Sequence, residues 1–403
     1  MLQVSSARDR SWLAAASRAF VPTPDVIERV AEIVADVRVR GDAALVDWTR
    51  RLDDPRFDLS KLRVPIPMHE AARALVAPEI ARALHDAKAR MTQVYERERE
   101  RSWSDADGST TTLHAEPFES VAIYAPGGIH PHPSAILAGA VPARLAGVSR
   151  TIVFTPPRAD GTVHPAVLYA CSLCDVDELY ALGGAQAIAA AALGTSSVAA
   201  VQKLVGGRSP WVLEAKRQVN GICAIDAIAA SPAALVVADD AASSEFVAAD
   251  VLALAERAAD ASVVMISESR PLLDAVAQLL DTFGAANLLR SCSLVHAGAR
   301  RETLEMLARI RPDRVTLHVM DPQPYLASVR AANALFIGES SSLVAGEFSL
   351  PCTYAYGEFT HPHVAVNSSV ERTALDAQML AALAELEGLP FHAQSARMRG
   401  GLA

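Results

Sequence analysis

At 403 residues the chain is long enough for more than one hydrophobic core, since single cores stop growing at roughly 250–300 residues. Its apolar content of 51% is rich in Ala, Leu and Val but only 5% of residues are aromatic, which suits helices packed on sheets better than a β-sandwich. A net charge of -9 argues against nucleic acid or an anionic membrane as a partner.

The N-terminal run MLQVSSARDRSWLAAASRAF carries charges inside what would be a signal core, and no uncharged apolar run is long enough to span a bilayer, so a cytoplasmic location is expected. From Thr23 to Asp53 apolar residues recur at helical spacing, with Pro24 at an entry position and Gly41 as a break, which predicts two helices with a short joint. A further helix is predicted through APEIARALHDAKARMTQVYERERER. Short apolar runs bounded by Gly, Pro or Asp then alternate with helical stretches: VAIYA, TIVFTP, ELYALG, KLVGG and ALVVAD, followed by SVVMIS, SCSLVHA, VTLHV and ALFIGE. That alternation is the signature of parallel α/β layers. Two Rossmann-like halves are implied, the first inserted in the second, with small N- and C-terminal helical segments. The expected layout is a segment at 1–22, one discontinuous domain over 23–122 and 235–365, a cofactor-side domain over 123–234, and a helical tail over 366–403.

The cysteines are scattered, and Cys171 and Cys174 form a C-x-x-C inside VLYACSLCDV, an apolar helix-like run, so buried reduced thiols are expected. Three glycine turns follow predicted strands: Tyr124-Ala-Pro-Gly-Gly, Leu182-Gly-Gly-Ala-Gln186 and Val205-Gly-Gly-Arg-Ser209. Taken singly, each suits a tight turn as well as a pyrophosphate or ribose contact. At the carboxyl ends of neighbouring strands they converge on the crevice where doubly wound sheets bind ligands. No G-x-G-x-x-G is present.

The strings IYAPGG, PSAILAGAVPARLAGV, LGGAQAIAAAALGT, VQKLVGG, VLEAKRQV, AID and LVVADD, in this order, resemble the central domain of histidinol dehydrogenases. In weaker form the similarity runs from about Thr23 to Arg399. The resemblance implies two Rossmann-like domains without the usual fingerprint and an intertwined homodimer whose C-terminal tail reaches the partner's active site. It also implies NAD contacts at Tyr124 and Gln186, with Ser209 replacing the family's Asn at a third contact.

It further implies changes at the reaction centre. The family's zinc is held by a Gln and a His one helical turn apart, an Asp, and a C-terminal His. Here Leu254 and Arg257 stand at the first two positions, with Glu347 and His392 offered for the others, so a zinc site of the family type is not expected. The family's Glu-His proton-transfer pair is matched by Asp313 and Arg314, and an arginine is no base at neutral pH. Glu387 matches a position that helps handle substrate. Two guanidinium groups suit a carboxylate, phosphate or sulfonate, with Asp313 or His392 as acid/base. The alternative is a silent pocket in which Arg257 and Arg314 pair with Asp313, Glu347 or Glu256.

Two His-Pro-His strings, His130 to His132 and His361 to His363, are read as loops that would form a metal site only if they met in space. The expected function is a zinc-independent, NAD- or NADP-dependent oxidoreductase acting on a small anionic metabolite other than L-histidinol. The alternatives are a lyase, isomerase or condensing enzyme on a small acid, and a non-catalytic ligand-binding paralogue.

Overall fold

Thr23 opens the first long helix, α1 (Pro24–Arg40): its side chain accepts from the Val26 N–H, and Pro24 occupies the first turn, where a missing N–H is harmless. Gly41, at φ 55°, ends α1 and lets α2 (Asp42–Leu52) start at a new angle. The computed structural model describes residues 4–9, 21–96, 101–104, 110–127, 130–228, 233–256, 262–283, 292–310, 312–329, 332–339, 341, 354 and 356–367, of which 101–104, 110–114, 233, 356 and 361–367 are described in backbone only.

Before α1 lies strand β1 (Val4–Ser6), and after α2 come β2 (Arg63–Val64), α3 (Pro78–Tyr95), β3 (Arg101–Ser104) and β4 (Thr110–Pro117). The chain then alternates through β5 (Ser120–Tyr124), α4 (Pro133–Ala146), β6 (Arg150–Thr155), α5 (Pro165–Leu173), β7 (Glu178–Ala181), α6 (Gly184–Leu193), β8 (Lys203–Gly206), α7 (Pro210–Val219) and β9 (Ala224–Ile225). A second alternation follows: β10 (Ala233–Ala238), α8 (Ser244–Glu256), β11 (Ser262–Ser267), α9 (Arg270–Thr282), β12 (Cys292–His296), α10 (Arg300–Arg309), β13 (Arg314–His318) and β14 (Ala334–Ile337). The last described strand is β15 (Thr360–Asn367).

These strands make three sheets. The central one has the order β2-β7-β6-β5-β8-β9, parallel except for β2, which pairs antiparallel with β7 at the edge. The later one, β1-β12-β11-β10-β13-β14, is parallel throughout. Both reverse their winding direction once, between β5 and β8 and between β10 and β13. The third sheet, β15-β4-β3, is antiparallel.

Helices cover both faces of the central sheet, so its strands are apolar throughout rather than alternating, and every residue of β5 is buried. On one face α1 and α2 place Val30, Ile33, Val37, Leu45 and Trp48 against the alanines Ala187, Ala190 and Ala191 of α6. The small side chains bring helix and helix close together, which is how a chain poor in aromatics fills its core.

The packing differs from the expected layout. Helices α1 and α2, grouped from sequence with 235–365, bury their apolar faces on the central sheet instead, and α3 packs on α4 beside it. Tyr354 and residues 356–360 return to the same sheet: Phe359 is fully buried in its core, and the Tyr95 hydroxyl donates to the Tyr354 carbonyl at 2.6 Å. Residues 4–6 join the later sheet as its edge strand. The second His-Pro-His string lies within β15, with His361 opposite Glu116 and His363 opposite His114, and not in a loop. Pro362 is tolerated there because β15 is an edge strand. The predicted C-terminal helical tail lies outside the described residues. Cys171, Cys174, Cys223 and Cys292 are free and buried; burial pushes the Cys171 thiol far up and the Cys174 thiol up to about 12. No helix among the described residues is long and apolar enough to cross a membrane.

Candidate functional site

The reversal between β5 and β8 opens a crevice at the carboxyl ends of the central strands, where α/β sheets take ligands. Tyr124 is the last residue of β5 and is 8% exposed. Its hydroxyl oxygen accepts from the Gly184 N–H at 3.0 Å, and burial pushes its pKa up to about 12, so it stays a phenol that can donate. Gln186, in the first turn of α6, is fully buried; its Nε2 donates to Asp53 at 3.0 Å, which fixes the amide orientation. Its Oε1 is buried with no hydrogen-bond partner among the described residues, an acceptor left for a ligand or water. Burial raises the Asp53 pKa, while the Gln186 hydrogen bond lowers it.

The turn after β8 passes beside the Tyr124 ring. Gly207 has φ 72°, and a Cβ there would stand 2.4 Å from Val212 and 2.9 Å from the Tyr124 ring, so only glycine permits the approach. Ser209 follows as the N-cap of α7, its Oγ accepting from the Val212 N–H at 3.3 Å. The structure therefore brings Tyr124, Gln186 and the Ser209 turn to one crevice. Ser209 is already engaged as a cap, with its O–H proton still available to donate.

A buried ion pair underpins this turn. Lys216 is 1% exposed; its ammonium pairs with Asp226 and donates to the Gly206 carbonyl at 3.1 Å, while Asp226 accepts from the Gly206 N–H at 3.0 Å. Burial lowers the Lys216 pKa and the Asp226 charge opposes that shift. Neither Asp53 nor this pair stood out in the sequence. Asp53 ends a helix in the string RLDD, and its partner Gln186 lies 133 positions away.

The residues matched to the family's reaction centre lie on the later sheet. Leu254 of α8, matched from sequence to the first zinc position, is 1% exposed and belongs to the apolar core. Asp313 precedes β13: its Oδ1 accepts from the Asn333 side-chain amide at 2.7 Å, and its Oδ2 lies 3.7 Å from Arg314 Nε. Asp313 is 7% exposed and Arg314 1% exposed, among the largest fully buried side chains. The Arg314 guanidinium is thus enclosed beside a carboxylate that Asn333 holds in place, as in the ion-paired alternative. Arg257, Glu347, Glu387 and His392 lie outside the described residues. His132 has its pKa lowered by burial and by the neighbouring His130, while the side chains of His361 and His363 lie outside the described residues. Among the described residues no three His, Cys, Asp or Glu side chains gather as a metal site.

Fold and site together define an α/β protein built on two largely parallel sheets, with Tyr124, Gln186 and Ser209 gathered at the winding reversal of the central one. Residues 17–400 match the family model described as histidinol dehydrogenase. A histidinol dehydrogenase of Xanthomonas euvesicatoria is 36% identical over 93% of each chain, and one of Chlorobaculum tepidum is 34% identical over 93% of each. The crystal structure of histidinol dehydrogenase from Elizabethkingia anophelis superposes with a TM-score of 0.90 at 24% identity, covering 98% of this chain and 97% of that one. The chain belongs to the histidinol dehydrogenase family.

Proposed function

We propose that the protein is a dinucleotide-dependent oxidoreductase that acts on a small anionic metabolite, by a route that does not use the family's zinc or its Glu-His pair. The observation that supports the dinucleotide part lies at β5 and β8, where two hydrogen bonds, Gly184 N–H to Tyr124 and Gln186 Nε2 to Asp53, flank a Gln186 Oε1 with no partner among the described residues. The glycines beside it allow turns and close approaches to neighbouring protein atoms that a Cβ would block. A bound NAD or NADP would supply the hydride acceptor. The chain's own groups would orient it: the Tyr124 hydroxyl and Ser209 O–H as donors, Gln186 as acceptor.

At the reaction centre, the core leucine at position 254 and the buried Asp313–Arg314 pair support a changed route. Arg314 would fix a negative substrate group, and Asp313 would be the base if Asn333 yields it. Arg257 and His392 complete this reading by position. The intertwined homodimer implied by the family belongs to the same proposal. One observation favours a second reading: Arg314 is so fully enclosed that the pair could serve packing alone, in a paralogue that binds ligand without catalysis.

Metal analysis of the purified protein, with NADH absorbance measured on L-histidinol plus NAD, tests the first reading. The expected result is zinc well below one per chain, no histidinol-dependent NADH, and thermal stabilisation by NAD or NADP. Stoichiometric zinc with histidinol turnover would refute the proposal. Stabilisation by small acids without any response to dinucleotide favours a non-redox reaction, and no response to either favours the paralogue.

A further inference from the structure

We propose that the antiparallel sheet carries a site for a divalent transition-metal ion, zinc by its ligand set, formed by His114 and Glu116 of β4 with His361 and His363 of β15. The ladder places His363 directly opposite His114, and His361 directly opposite Glu116. Successive residues of a strand alternate between faces, so 114 and 116 share one face, as do 361 and 363. Directly paired residues lie on the same face of the sheet, which puts all four together. Opposed Cβ atoms are about 4.5–5.5 Å apart, and positions two apart along a strand are separated by about 7 Å. Three imidazoles and a carboxylate on a rectangle of that size supply the N and O donors that take zinc at about 2.0–2.2 Å in tetrahedral geometry. Imidazoles suit zinc, nickel and copper, whereas magnesium and calcium prefer oxygen ligands.

The residue pattern makes this the wet face of the sheet. Its other face carries Leu113, Ala115, Pro117, Pro362, Val364 and Val366, all apolar. Such a split belongs to an antiparallel sheet solvated on one side, and Glu116 is exposed while Ala115 and Pro117 are half-buried. A solvated ladder gains nothing from opposed histidines, because like charges directly opposite one another destabilise it once both rings are protonated. A metal ion reverses that balance, since it binds the neutral ring.

The frame is fixed at the end nearest these residues. The Phe118 N–H donates to the Phe359 carbonyl at 3.1 Å, and both residues are buried in the core of the central sheet. Backbone held in this way leaves less ordering for the ion to impose. The site lies on a different sheet from Leu254 of α8 and does not depend on the dinucleotide reading. Open to water, it equilibrates with the buffer: it fills from added zinc and empties in metal-free buffer, so zinc retained by the purified chain does not measure it.

Calorimetric titration of the untagged, chelator-stripped full chain with zinc chloride tests the assignment. One zinc ion per chain is expected to bind, with no response to magnesium. His361→Ala and His363→Ala should each weaken zinc by at least about ten-fold, and Glu116→Gln by less. A second measurement needs no variant: zinc should block modification of His361 and His363 by diethyl pyrocarbonate, located by peptide mass spectrometry. Absence of zinc binding, or unchanged affinity in both histidine variants without protection of either ring, overturns the site. Zinc binding lost in His392→Ala but kept in His361→Ala overturns it as well and assigns the ion to the C-terminal position of the family's set.

Discussion

Asp226→Asn is the perturbation that best tests how the crevice is built. The substitution keeps an oxygen to accept from the Gly206 N–H but removes the charge that faces Lys216, leaving an ammonium that is 1% exposed without its counter-ion. Breaking one side of a buried pair costs about 3–5 kcal/mol. Asp226 is 13% exposed, so water can reach part of the site and the lower end, about 3 kcal/mol, is the better figure. For a cooperative unit of about 150–250 residues each kcal/mol moves Tm by about 2–4 °C, which predicts a fall of about 6–12 °C in a thermal scan. Lys216→Met removes the buried cation and leaves a carboxylate that still has the Gly206 N–H and some solvent, so its cost should be about half as large. The double variant Asp226→Asn with Lys216→Met should then be more stable than Asp226→Asn alone, because no charge remains buried. A double variant that falls by the sum of the two single losses would refute the pairing as the source of the stability.

Gly207→Ala puts a Cβ against Val212 and the Tyr124 ring at φ 72°, so nucleotide-induced thermal stabilisation should disappear, with Tm lowered by several degrees in its absence. Asp53 has a raised folded-state pKa, so the folded chain holds its proton to higher pH than the unfolded chain does. Stability should therefore fall as pH rises from about 3.8 to the raised value and stay constant above it; Asp53→Asn should flatten that segment of the Tm–pH curve. Cys171 and Cys174 should resist a thiol-specific reagent in the native protein at pH 8 and react on denaturation, as mass spectrometry would show, because burial holds both as thiols.

The parallel strands were legible because each is a short apolar run ending in a turn signal: VAIYA, TIVFTP and SVVMIS became β5, β6 and β11 almost residue for residue. The glycine turns were legible for the same reason, since local chemistry sets a turn. What stayed hidden depends on distant partners. β15 carries Pro362 and reads as a loop, and it becomes a strand through its ladder with β4. Helices α1 and α2 show an apolar face without naming the sheet it covers, and sequence alone groups them with 235–365 and not with the nearer 123–234. Asp53 at a helix end and Lys216 in an amphipathic helix look like solvated charges until Gln186 and Asp226 are brought to them.

β13 explains why the reaction centre was harder to read than the crevice. Its alternation, Arg314-Val-Thr-Leu-His318, has the period of a strand with one wet face, yet all five residues are buried. Val315 and Leu317 enter the core beneath α10, while Arg314, Thr316 and His318 share the opposite face, where His318 Nε2 lies 2.9 Å from Asp250 of α8. Burying three polar side chains in succession costs free energy that Ile or Val would not, and Thr316 Oγ1 and His318 Nδ1 have no hydrogen-bond partner among the described residues. Packing alone gives no reason to keep such a row in a parallel sheet. The row begins at Arg314, beside Asp313, the two residues matched from sequence to the family's proton-transfer pair. The stability of the sheet does not account for polarity on this face, and that supports the proposed occupied, chemically altered centre over the proposed silent one.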